Sequence, residues 1–239
     1  MTSRKGSIEP ASGRPVARGL PAWVYSHPEL TRLEIERILR PSWQIAGHVS
    51  QIPVSGNYLT FELGSDSVVV LRDTAGGIRA FRNVCRHRGT RLLEGTGRCP
   101  GRITCPYHGW TYRYDGSLLA TPAKDSFPEM NPQEHGLEPV RVEVTLGFVW
   151  VCLAGSPDPP SRLWLPIQDE LTPYRLEELV PTQPPYLDVW NVNWKIAMDN
   201  YLESYHVPGG TSGSQPAVHA GLRGSTGCPR HCPRFQLDA

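Results

Sequence analysis

No apolar run in this chain approaches the ~20 residues that a bilayer-spanning helix needs, and the N-terminus lacks the continuous apolar core of a secretory signal. Those absences argue against a membrane span and against export, so a cytoplasmic protein is expected. Charge of one sign is not in excess either: 24 Lys and Arg face 23 Asp and Glu, a formal net charge of +1. Without a global field, neither nucleic acid nor an anionic membrane is the expected partner. Residues 1–20 contain little that could be buried and read as a disordered arm. No internal repeat is present.

What the chain does have is 24 prolines and 23 glycines, enough turn residues to favour short strands over long helices. Residues 21–42 predict one amphipathic helix, with Leu30, Leu33, Ile35 and Ile38 on its apolar face and Pro41 as its stop. From 43 to 155 short alternating runs (NYLTFEL, SVVVLRD, IRAFRN, GRITC, WTYRYDGSLLA, VEVTLGFVWVCL) predict an antiparallel β domain, with turns at Ala75-Gly76-Gly77 and Asp115-Gly116. A Pro-rich link after Gly155 marks a boundary. Residues 160–210 then predict a second unit: a short helix in DELTPYRLEELV, an alternating run YLDVWNVNW, and a helix from Lys195 to Tyr205. Residues 211–239 lose all periodicity and read as an aberrant or disordered tail. The fold class is therefore mainly β with some α.

Six cysteines stand at 85, 99, 105, 152, 228 and 232, and in a reducing compartment close Cys and His spacings speak for metal. Cys85-Arg86-His87 is followed, after seventeen intervening residues, by Cys105-Pro106-Tyr107-His108. Two thiolates suit one iron of a [2Fe-2S] pair, and two neutral imidazoles on the other remove negative charge and raise the potential. A tetrahedral zinc site is the alternative, although C-x-H and C-x-x-H pairs fit its usual C-x2-4-C and H-x3-5-H spacings poorly. Cys152 lies in an apolar run and reads as core filling, Cys99 has no assigned chemistry, and Trp110 and Tyr112 are either shields of the metal or plain core aromatics.

The segments NVCRHRGTRL and CPYHGWTYRYDGSLLATP resemble the Rieske domain of the ring-hydroxylating non-haem iron oxygenases, over about Trp43 to Ala154. Respiratory Rieske proteins carry an extra cysteine in each loop; Thr90 and Tyr107 stand at those places here, so the resemblance implies no loop disulfide and a lower-potential cluster. NWKIAMDNYLESYHVP is similar to the start of the family's catalytic domain, in which a helix bears ligands of a mononuclear Fe(II). Asp199, Glu203 and His206 stand at i, i+4 and i+7 on one helical face. The resemblance implies that His206 is an iron ligand and that Glu203 bridges to His108 of a neighbouring subunit. A facial triad needs a second His and a carboxylate. Thr211 stands where that His is expected, and a one-base shift in codons chosen for the residues from Thr211 restores it, so the chain is expected to be truncated or frame-shifted after Gly210.

The resemblance implies an oxygenase α subunit that receives electrons from an NAD(P)H-dependent reductase or a ferredoxin, forms a homotrimer, and acts with O2 on a small-molecule substrate. A stand-alone Rieske ferredoxin and a zinc-stabilised module are the other readings.

Overall fold

A computed structural model describes residues 19–122, 125, 128–182 and 189–202. Strands β1 (Gln44–His48), β2 (Asn57–Leu63), β3 (Asp66–Arg72), β4 (Ile78–Arg82) and β5 (Thr96–Arg98) are followed by β6 (Ile103–Thr104), β7 (Thr111–Tyr112), β8 (Leu118–Ala120), β9 (Arg141–Thr145) and β10 (Phe148–Cys152). They pair antiparallel in three sheets, ordered β1-β10-β9, β4-β3-β2-β5 and β6-β7-β8. The mainly β class with some helix is what the chain adopts. Among the described residues no helix is long and apolar enough to cross a membrane.

β3 organises the interior because both of its faces are apolar. Successive side chains of a strand point to opposite faces, so Val69 and Leu71 enter one core while Val68 and Val70 enter the other. The first core also receives Cys85, Cys105, Trp110 and Tyr112; the second joins β3 to Ile52, Val149 and Val151. The metal-type loops thus rest on the same strand that anchors the opposite core.

Turn chemistry ends the strands where expected. Asp73 accepts hydrogen bonds from the backbone N–H groups of Ala75 and Gly77 and from Arg79 Nε. The Arg79 guanidinium, with those N–H groups, holds its carboxyl below the usual range. At Asp115-Gly116 the turn brings Gly116 to φ +85°, and a Cβ there would lie 2.4 Å from the Phe81 ring. Left-handed backbone and a rigid aromatic neighbour both oppose a side chain. Gly116→Ala is expected to destabilise the fold by about 3 kcal/mol; a denaturant midpoint shift worth less than about 1 kcal/mol would show that the ring gives way.

Several expectations are corrected. VEVTLGFVWVCL is a hairpin, turning at Leu146 (φ 52°) and Gly147 so that Thr145 faces Phe148. The N-terminal helix is α1 (Pro28–Glu34) continued by a π-helical turn over Ile35–Leu39. Leu33 and Ile38 are exposed, at 41% and 48%, and Glu34 is buried instead. The wider turn, closed by Arg40 N–H on Ile35 C=O, shifts the facing of the residues after it, Ile38 among them. DELTPYRLEELV is not one helix. After α2 (Pro160–Trp164), α3 (Gln168–Leu171) gives way to 3-10 turns at Thr172–Tyr174 and Leu176–Glu178. Pro173 has no N–H for a helical bond, and Arg175 is left-handed at φ 47°. The described part of the run YLDVWNVNW, residues 189–194, forms no strand, and its last residue already opens a helix. The last helix, α4, spans Trp194–Leu202.

Candidate metal centre

The loops after β4 and β6 share one backbone design. In the first, Cys85 N–H donates to Thr90 C=O and Gly89 N–H returns to Cys85 C=O; in the second, Cys105 N–H donates to Trp110 C=O and Gly109 N–H returns to Cys105 C=O. Gly89 and Gly109 sit at φ +71° and +69°, a conformation that costs glycine little. The first loop is clamped by fully buried Asn83, whose amide donates to Ser67 Oγ and Leu93 C=O and accepts from Leu93 N–H.

This design sorts the four side chains by type. The thiols of Cys85 and Cys105 are buried and lie against each other, while His87 is half-buried and His108 is exposed. The two imidazoles meet edge to face, with ring centroids 4.7 Å apart. Trp110, itself buried, stacks on His87 at 5.0 Å and 8°. Tyr112 is fully buried, its hydroxyl 3.2 Å from Cys85 Sγ; because that oxygen accepts Arg86 N–H, its proton is available to the sulfur. Trp110 and Tyr112 are thus both core residues and neighbours of the candidate ligands.

Electrostatics follow from burial. Desolvation pushes the Cys85 thiol up, countered by the Tyr112 hydroxyl and the His87 N–H. Burial likewise raises the Tyr112 phenol, and the sulfur adds to it. Desolvation first, then His108 and Arg88, lowers His87, which favours the neutral imidazole that ligates metal. Two buried thiolates side by side repel unless a cation lies between them. The donor set fits a two-iron group: sulfur at a dry end, neutral nitrogen at a wet end. Among the described residues, no group of three or more His, Cys, Asp or Glu side chains is placed to hold a single metal ion.

Asp199 lies on α4, and its carboxylate accepts the Tyr25 hydroxyl at 2.8 Å. Glu203, His206 and Thr211 lie outside the described residues. α4 is tied to α1 by contacts with no local signature: Asn193 to Thr31, and Trp194 Nε1 and Lys195 Nζ to Glu34. Sequence reading found no role for Glu34 or Asn83. Asn83 immediately precedes V-C-R-H, the only local hint that it serves the loop.

Comparison with known proteins agrees with this geometry. Residues 42–134 match the model of the Rieske [2Fe-2S] domain, and residues 176–237 that of the catalytic domain of the ring-hydroxylating α subunit. The oxygenase subunit of glycine betaine monooxygenase from Chromohalobacter salexigens is 36% identical over 80% of this chain and 42% of its own length. The α subunit of biphenyl 2,3-dioxygenase from Rhodococcus jostii is 34% identical over 83% of this chain and 44% of its own. A solved quaternary ammonium Rieske monooxygenase superposes with a TM-score of 0.70 at 30% identity, covering 80% of this chain and 54% of that one. This chain spans about half the length of the curated relatives it matches. With its paired loops, Rieske-domain match and adjoining catalytic-domain match, the chain belongs to the α subunits of the Rieske-type ring-hydroxylating non-haem iron oxygenases.

Proposed function

We propose that Cys85, His87, Cys105 and His108 hold a [2Fe-2S] cluster and that the chain is the electron-transfer part of an oxygenase α subunit. The observation that carries this reading is the sorting of donors by two matching loops, thiol beside thiol and imidazole beside imidazole. When bound, such a cluster accepts and releases one electron at a time. The protein's part is to keep water from the thiols, hold His87 flat against Trp110, and leave His108 at the surface where an electron can leave. The catalytic-domain match favours an oxygenase subunit over a stand-alone ferredoxin.

On the same reading, a reductase or ferredoxin supplies the electrons and a mononuclear Fe(II) in the catalytic domain receives them for reaction with O2 and substrate. His206 is proposed as a ligand of that iron, with Glu203 as a bridge from a neighbouring subunit's cluster and a homotrimer as the assembly. One solved relative is described in terms of inter-subunit electron transfer, which supports this arrangement.

Metal and sulfide analysis of the purified protein, with electron paramagnetic resonance after reduction, tests the cluster. Iron and acid-labile sulfide in equal amounts are expected; a colourless protein holding zinc would overturn the reading. Tyr112→Phe is expected to lower the reduction potential by tens of mV while leaving the cluster assembled. Its hydroxyl favours the more negative reduced state. Voltammetry reads the difference, and an unchanged potential would show that the hydroxyl does not donate to the sulfur.

A further inference from the structure

The two cysteine–histidine loops share a backbone design, but their stems are held differently. The first loop leaves at Val84 and returns at Arg91, which pair as an isolated antiparallel bridge. At its entry, buried Asn83 is tied to β3 twice, by its backbone N–H on Ser67 C=O and by its side-chain amide on Ser67 Oγ at 3.0 Å. Because that oxygen accepts from Asn83, the Ser67 proton is free to donate, and it reaches Glu62 Oε1 at 2.8 Å. At the exit, Arg91 meets the same carboxylate with both terminal nitrogens, Nη1 on Oε1 at 3.0 Å and Nη2 on Oε2 at 3.2 Å. Glu62, on β2, therefore fastens both ends of one loop. The stem of the second loop, Thr104 beside Thr111, carries a tie within the loop itself, the Thr111 hydroxyl on Gly109 C=O.

An isolated ion pair between side chains as exposed as these, 48% for Arg91 and 32% for Glu62, contributes little. Here the pair is a bidentate fork, and buried Ser67 adds a charge-assisted hydrogen bond to the same carboxylate. Glu62 and Ser67 stand directly opposite in the β2–β3 register, so the sheet itself sets the distance between them. Asn83 also joins the entry strand to the exit strand, accepting Leu93 N–H at 3.0 Å and donating to Leu93 C=O at 2.7 Å. Side chains presented on a loop are only as well placed as the stems beneath it. Loosening these stems lets Cys85 drift from Cys105 and His87 from the face of Trp110.

We propose that Glu62 is a positioning residue for the loop that presents Cys85 and His87, acting on its entry through Ser67 and Asn83 and on its exit through Arg91. The proposal rests on the assignment of Cys85 and His87 as cluster ligands. Amide hydrogen exchange of the intact protein reads the loop directly. In Glu62→Ala, exchange across residues 83–93 is expected to rise about tenfold while residues 103–112 keep the parent rates. The variant should still hold iron and sulfide, with the resonance of its reduced cluster broadened by a spread of His87 geometries. Glu62→Gln keeps an acceptor for Ser67 and should recover part of each change. Arg91→Ala should reproduce the faster exchange, and combining it with Glu62→Ala should add little, because its partner is already gone. A parent protein without iron and sulfide overturns the cluster assignment and the proposal with it. Where the parent carries the cluster, the proposal alone is overturned if Glu62→Ala leaves the exchange of the first loop or the resonance unchanged, if both loops accelerate equally, or if the two alanine variants are additive.

Discussion

Cys85→Ser is expected to yield a folded but colourless protein, with the visible absorption and the resonance of the reduced cluster lost. The residue is 3% exposed and lies against Cys105 in the core shared with Val69 and Leu71. A serine hydroxyl remains protonated where a thiol coordinated to metal ionises, so one end of the site loses half of its charge donors. The change removes a sulfur and adds a smaller oxygen, and the fold keeps β3 and both cores. Far-ultraviolet circular dichroism should therefore remain close to that of the parent while iron content falls at least tenfold. A variant retaining the full visible spectrum would remove Cys85 from the ligand set. The parallel change Cys105→Ser should do the same, because the two loops repeat one design.

Glu34→Ala is expected to have the largest effect on the attachment of α4. Glu34 is 8% exposed and receives both the Trp194 indole N–H at 2.9 Å and the Lys195 ammonium at 2.7 Å. Removing the carboxylate leaves a largely buried ammonium without its counter-charge, a loss of about 3 kcal/mol. The neighbouring bonds, Asn193 to Thr31 and Tyr25 to Asp199, are more exposed and do not replace it. Amide hydrogen exchange over α4 should accelerate about a hundredfold, the factor that ~3 kcal/mol implies where exchange follows local opening. Exchange in β3 should change little. Glu34→Gln keeps an acceptor for the indole and should fall between the two. An unchanged α4 in the alanine variant would show that the helix is held by its apolar contacts alone.

The elements most legible in the sequence were those with short-range causes. β2, β3 and β4 fall in short runs rich in apolar and β-branched residues, with Ala75-Gly76-Gly77 turning the chain between β3 and β4, and the Cys-x-His and Cys-x-x-His pairs are visible in any linear reading. Less legible was whatever depends on a competing partner. Leu33 and Ile38 carry the spacing of a buried helical face, yet Glu34 turns inward because Trp194 and Lys195, about 160 residues away, satisfy it. The hairpin at Leu146-Gly147 was hidden because a leucine at positive φ gives no compositional signal. Pro173 was readable as a break, but its effect, with left-handed Arg175 two places on, is to split one expected helix into fragments.

Residue type and order are properties of the covalent chain, so the sequence by itself determined the β class and the family and singled out two cysteines and two histidines as the candidate donors. Where those donors sit relative to water and to one another was decided only by tertiary structure. Tyr112 reaches Cys85 from a different sheet and Trp110 lies flat on His87, although both are distant from the first loop along the chain. The physical reason is that burial, which sets the charge on a thiol and the access to an imidazole, results from the packing of separate strands. Local residue patterns do not encode it.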